Sequence, residues 1–223
     1  MNKISEKEII EYAKVCKGIN ILSVNLSAAR KKLLSHPWIA GVRVTRSFPS
    51  KINLIINEHK PLAILDLDRN FILNTHGEIF SECAASDYET LPLITGLRYS
   101  DINIGKKHNS SVAFGAVMNI LKLGQQPGSV IPNRLIKKIE VDRETGVTLQ
   151  ISNFPSFPVW NLETEGRSGR IRLGYNNYRE KYNRLRYMLS YLKKERKFFN
   201  IDLIDLNDIN RIVVNPSEVR SEK

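Results

Sequence analysis

The chain has 223 residues, 42% hydrophobic and 26% charged, enough for one large domain or two small ones that each bury a core. Its formal net charge of +11 and pI near 9.7 give a surface that attracts anions, whether nucleic acid, lipid headgroups or acidic proteins. No window approaches the ~18–20 apolar residues of a membrane span and no apolar run follows a basic N-terminus, so neither a span nor an export signal is expected.

The first predicted element is a helix over Ser5 to Val15, with Ser5 as N-cap and Glu8 at the capping-box spacing; Ile9, Ile10 and Ala13 form its apolar stripe. A second helix runs from Asn25 or Ser27 to Ser35, turning Leu26, Ala29, Leu33 and Leu34 inward and leaving Arg30, Lys31 and Lys32 in water. Pro37 stops it, and Trp38 sits where helix gives way to strand. Residues 36–61 then alternate twice, through Val42 and Val44 and through Ile52, Leu54 and Ile56, with Pro49 and Ser50 between, which predicts a β-hairpin. Two helices need a wider sheet than one hairpin, so a third strand is expected nearby, its natural place being before Ser5, where the sequence has Met1 to Ile4.

At this point the segment Ile4 to Ile64 resembles the POTRA domain of the bacterial division proteins FtsQ and DivIB. The resemblance lies in Pro37-Trp38-Ile39, Arg43, Arg46, Pro49, Glu58, Pro61 and Ala63, spaced as P-W-[VI], R-x-x-P and E-x-x-P-x-A. It continues through the short hairpin Phe71–Asn74 and Gly77–Phe80, and through Leu91-Pro92-Leu93-Ile94-Thr95-Gly96, similar to the family's L-P-x-[IL]-x-G.

Beyond these, Ser110 to Leu123 keeps helical spacing until Gly124, and Ile136–Val141 and Val147–Ile151 alternate around a turn at Glu144–Gly146. Asn153 to Ser168, with Trp160, has no usable period and reads as a loop or an irregular strand extension. Gly169–Gly174 resembles the family's strand leading into a basic helix. That helix, Tyr178 to Lys197, buries a stripe of Tyr178, Tyr182, Leu185, Leu189 and Leu192, widened by Met188; Arg179, Lys181, Arg184, Arg186, Lys193, Lys194, Arg196 and Lys197 read as its solvated face. Ile201–Leu206 alternates, with Ile201, Leu203 and Asp205 on one side and Asp202, Ile204 and Leu206 on the other. Arg211–Val214 forms a last short strand before Pro216 and a charged tail. Asp205-Leu206 and this strand resemble the family's terminal I-D-L-R-Y hairpin, with Asn207-Asp208 departing from Arg-Tyr.

The expected fold is α+β. A small POTRA-like domain over residues 1–60 (helix, helix, hairpin, first strand missing or reduced) precedes a larger mixed or antiparallel sheet with flanking helices over 61–216, and 217–223 form the tail. Cys16 and Cys83 lack C-x-x-C spacing and read as buried or partly buried thiols. His36, His59, His76 and His108 are scattered, no phosphate-cradling glycine motif or nucleophile elbow is present, and Asp66 and Asp68 precede a turn that faces solvent; no enzyme, metal site or cofactor is expected.

A terminal strand close to the end of a sheet can instead leave an edge free for β-augmentation. The resemblance implies this use: FtsQ-like proteins receive FtsB of the FtsB–FtsL pair on their C-terminal strands, as non-enzymatic divisome scaffolds in septal cell-wall synthesis. They are anchored once in the inner membrane with this region periplasmic. The residues so implicated are Asp208, Asn210, Arg211, Ile212, Val213 and Val214; Pro37, Trp38, Arg43, Arg46, Pro49, Glu58 and Pro61 are read as structural POTRA positions, and the POTRA domain as a contact for other division proteins. The alternatives are a basic nucleic-acid binder acting through the Tyr178–Lys197 helix, and a POTRA protein of polypeptide transport.

Overall fold

The protein is described from a computed structural model covering residues 3–15, 18–83, 90–102, 111–152, 168–194, 201–208 and 210–216. It divides into two compact units, Met1–Pro61 with Leu73–Ser81, and Leu62–Ile72 with Glu82–Lys223. The 153–167 segment with Trp160, together with Cys16, His108 and the helix end at Arg196 and Lys197, lies outside the described residues.

In the first unit, Ser5 caps helix α1 (Glu6–Ala13) through the reciprocal bonds of a capping box, and Lys14 ends it in the left-handed region. Asn25 caps helix α2 (Leu26–Leu34) by accepting from the Ala28 amide. The hairpin follows as strands β1 (Ile39–Ser47) and β2 (Lys51–Glu58), antiparallel in the register Val42↔Ile56 and Val44↔Leu54. Leu33, Ala13, Ile39, Val42 and Ile4 form the buried core, with Ile9, Trp38, Leu54 and Ile56 packed against it. Two expected inward positions face water instead: Ile10 is 48% and Leu34 40% exposed. Each helix spans little more than two turns, so its stripe is narrow. The core takes Ile9 with Ala13, and Ala29 with Leu33, and leaves the residues next to them outside.

Among the described residues no strand precedes α1, and this sheet has two strands. The stretch before α1 is held instead by Glu58, whose carboxylate accepts from the amides of Lys3 (2.9 Å) and Ile4 (3.4 Å). The motif glutamate thus fastens the segment where an opening strand was sought.

The remaining strands form a nine-stranded mixed sheet, most of whose residues belong to the second unit: β3 (Pro61–Leu67), β4 (Arg69–Asn74), β5 (Ile79–Glu82), β6 (Leu93–Thr95), β7 (Ile136–Asp142), β8 (Gly146–Ser152), β9 (Ser168–Gly174), β10 (Ile201–Asp205) and β11 (Val213–Pro216). Their order is β11-β10-β9-β8-β7-β6-β3-β4-β5. Pairing is parallel for β3–β6, β6–β7 and β9–β10, and antiparallel for β7–β8, β8–β9 and β10–β11. Strand β3 was not expected as an element of its own, because Leu62, Ala63, Ile64 and Leu65 are all buried and a strand covered on both faces does not alternate. Asp66 and Asp68 are exposed, but Arg69 and Asn70, read as a turn, open β4, and the corner is Asp68 itself (φ 65).

Helix α3 (Val112–Gly124), capped by Ser111, contacts β7, β8 and helix α4 (Tyr178–Lys194). Ile120, Leu121 and Val117 of α3 are fully buried, as are Ile139, Leu149, Ile171 and Ile204 of the sheet. Asn133 closes the end of α3 by donating to the Leu121 carbonyl at 3.0 Å, and it can do so because Gly124 has no Cβ: one built there would lie 1.9 Å from Asn133 Oδ1. Among the described residues no helix is long and apolar enough to cross a membrane.

Candidate partner-docking edge

Strand β11 ends the nine-stranded sheet, paired on one side with β10 in the register Leu203↔Asn215, Ile204↔Val214 and Asp205↔Val213. Its other side carries no strand among the described residues, so alternate N–H and C=O groups there face away from the sheet. The strand begins at Val213, two residues later than the expected Arg211. The cause is local. Asp208 Oδ1 accepts from the Asn210 amide at 2.8 Å and Asp208 Oδ2 meets Arg211 Nε at 2.9 Å, so Asn210 and Arg211 belong to a side-chain-built turn and not to the ladder. The Asn210 amide first, and the Arg211 guanidinium after it, hold the Asp208 carboxyl below its ordinary range.

The expected docking residues therefore separate by role. Val213 (43% exposed) and the half-buried Val214 lie on the edge strand. Asp208, Asn210 and Arg211 form the turn that launches it, and Ile212 is half-buried just before it. The strict alternation expected of β10 also fails, since a register shift between Ile201 and Leu203 lets both Ile201 and Ile204 enter the core.

Helix α4 fixes this turn from below. Its expected stripe is buried as read, from Tyr178 (7% exposed) to Leu192 (7%). Lys181, however, does not belong to the solvated face. It is 4% exposed, and its Nζ donates to the carbonyls of Leu173 (2.6 Å) and Tyr175 (3.0 Å) where β9 ends. Burial holds its pKa below the usual lysine value. Arg184 Nη1 donates to the Asp208 carbonyl at 2.8 Å, and Arg186 Nη2 to the Gly128 carbonyl at 3.1 Å. Tyr178 donates to the Gly174 carbonyl, and burial pushes its phenol up to about 12.

Asn207, where the chain departs from the family pattern, packs against β9. Gly174 (φ +62) has no Cβ, and one built there would stand 1.9 Å from Asn207 Oδ1. Lys181, Arg184 and Asn207 were missed as site-forming residues. For Lys181 a signal was present, since it lies three residues after Tyr178 and four before Leu185, inside the buried stripe. Across β9 and β10, Arg172 pairs with the part-buried Asp205 at 3.1 Å, and Arg170 pairs with Asp202 at 3.5 Å in the open, where an ion pair adds little stability.

In the first unit the expected POTRA positions are placed as follows. Pro37 and Arg43 are exposed, and Pro49 lies in the β1–β2 turn. Arg46 donates to the carbonyls of Ile21 and Val24, Glu58 holds Lys3 and Ile4, and Pro61 opens β3. Trp38 meets Phe80 edge-on with centroids 5.0 Å apart, and Phe80 stacks on His59 at 4.6 Å. Asn74, 1% exposed, has one amide hydrogen on Glu78 (2.8 Å) and the other toward His59 Nδ1 (2.9 Å). This cluster ties Leu73–Ser81 to the first unit. Among the described residues no group of His, Cys, Asp and Glu could hold a metal ion.

Two helices and a hairpin followed by a large mixed sheet that ends at β11 on one side and β5 on the other, among the described residues, define a POTRA protein with an appended β domain. Residues 1–59 match the family model described as "POTRA domain, FtsQ-type". The chain is 28% identical over 214 residues to the cell division protein FtsQ of Syntrophotalea carbinolica, covering 95% of this chain and 69% of that one. It is 30% identical over 197 residues to FtsQ of an Anaeromyxobacter species (87% and 61% covered), and 27% identical over 107 residues to the cell division protein DivIB of Clostridium tetani (47% and 40%). Over most of its length the chain is similar to FtsQ and DivIB division proteins, and its first 59 residues match the FtsQ-type POTRA model.

Proposed function

We propose that this chain is a non-enzymatic scaffold of the bacterial division machinery, whose β domain receives a partner strand along β11. The partner is a pair of the FtsB–FtsL type, and the site lies outside the cytoplasm in a protein anchored once in the inner membrane. The observation that carries the reading is the edge itself: β11 closes the sheet with one side unpaired among the described residues, and Asp208, Arg184 and Asn207 fix the turn before it. An edge held in this way is already ordered, so an incoming strand gains main-chain hydrogen bonds without the cost of arranging the acceptor. Exposed Val213 and half-buried Leu203 supply the apolar steps for the partner's side chains. The nucleic-acid alternative needs the basic residues of α4 free for phosphates, whereas Lys181 is buried and Arg184 and Arg186 donate to carbonyls.

Proline at Val213 or at Val214 tests the reading. Adjacent amides point to opposite sides of a strand, so one variant strikes the outward edge and the other the β10 ladder. We expect at least one to weaken binding of a purified FtsB–FtsL pair about tenfold or more. Unchanged affinity in both variants overturns the docking proposal.

A further inference from the structure

A different surface lies at one end of the first unit, where the β1–β2 turn and the loop before α2 run side by side. Arg46 fixes them, donating from Nε to the Ile21 carbonyl at 2.9 Å and from Nη2 to the Val24 carbonyl. Ser50 of the turn lines the same cavity as Gly18, Ile19, Ile21 and Val24 of the loop. Three large apolar side chains on these segments face water: Phe48 is 73%, Leu22 66% and Ile19 46% exposed. Single exposed apolar residues are ordinary, but three this exposed on adjoining loops are the kind of cluster that marks a contact surface.

On the two loop segments themselves the charge has one sign. Residues 14–25 and 44–53 include Lys14, Lys17, Arg46 and Lys51 and no aspartate or glutamate. Lys14 and Lys51 are exposed, while Glu6, the carboxylate lining the cavity, comes from α1. Apolar tips with a basic rim suit the boundary of an anionic bilayer. Phenylalanine and leucine there enter the headgroup–acyl zone, and lysines lie on the phosphates. A nucleic acid would satisfy the lysines but offers Leu22 and Ile19 no apolar phase.

We infer that this tip docks on an anionic lipid bilayer, with Phe48 and Leu22 entering the interface and Lys14 and Lys51 on the headgroup phosphates. The inference does not depend on the β11 edge and stands or falls separately from it.

The test is flotation of the whole chain with vesicles of phosphatidylcholine alone or with about one third phosphatidylglycerol. We expect binding to the anionic vesicles that weakens with salt and falls about tenfold on neutral ones. The double variant Phe48→Asp, Leu22→Asp should lose about tenfold or more, and Lys51→Glu about fivefold or more. Arg179→Glu, on the exposed side of α4, makes the same net charge change as the double variant and should retain binding within about twofold. Circular dichroism checks that each variant is folded. The inference is overturned if the chain ignores anionic vesicles at low salt, if Arg179→Glu loses as much as the tip variant, or if the tip variants impair binding to duplex DNA instead.

Discussion

Lys181→Met removes an ammonium that is 4% exposed and leaves the carbonyls of Leu173 and Tyr175 without the donor now at 2.6 and 3.0 Å. Methionine has nearly the same length, so packing is kept and no cavity opens. Each carbonyl stripped of its partner costs about 1–3 kcal/mol, and release from burying a charge returns part of that. The balance is a loss of about 2–4 kcal/mol, which lowers the melting temperature of a domain this size by roughly 5–15 °C. Differential scanning calorimetry of the whole chain at neutral pH reads it. Arg179→Met on the exposed side of the same helix is the control and should stay within about 0.5 kcal/mol of the parent. If Lys181→Met melts with that control, Lys181 is not the clasp between α4 and the end of β9.

Two glycines of α3 should respond with opposite sign. A Cβ at Gly115 meets nothing within 4 Å, so Gly115→Ala should stabilise by about 0.5–1 kcal/mol through helix propensity; Gly124→Ala drives a methyl to 1.9 Å from Asn133 Oδ1 and should cost about 1–3 kcal/mol, both read by urea denaturation. His59 should titrate below the ordinary histidine value of about 6.5 in proton NMR, because burial disfavours its charged form more than Glu78 favours it. A depressed pKa means that the neutral ring, accepting from Asn74 at Nδ1, contributes fully above the ordinary value and is lost as pH falls through the depressed one. The Leu73–Ser81 segment should therefore exchange amide hydrogens faster at acid pH, and His59→Phe should remove that dependence.

The sequence carried those elements whose two faces meet different solvents. The β1–β2 hairpin alternates because one face packs on α1 and α2, and the caps at Ser5, Asn25 and Ser111 are side-chain oxygens placed where helices begin. Strand β3 was hidden by burial on both faces. Lys181 was misread because charge on a helix ordinarily means solvent, and only the two carbonyls at the end of β9 make its burial tolerable. The start of β11 was misplaced for a third reason. Arg211 and Ile212 have strand-compatible neighbours, but Asp208 engages the backbone two residues on and the side chain three residues on, a competition that composition does not reveal. The edge position of β11 follows from the order of nine strands, which no local pattern encodes.

The most direct test of the docking edge is hydrogen–deuterium exchange of the whole chain with and without a saturating FtsB–FtsL pair. If a partner strand adds to β11, the outward amides among Val213, Val214 and Asn215 should slow by about tenfold or more while those of α3, already protected, do not change. A complex that forms while exchange across Val213–Asn215 stays as in the free chain would place the partner elsewhere and contradict the account.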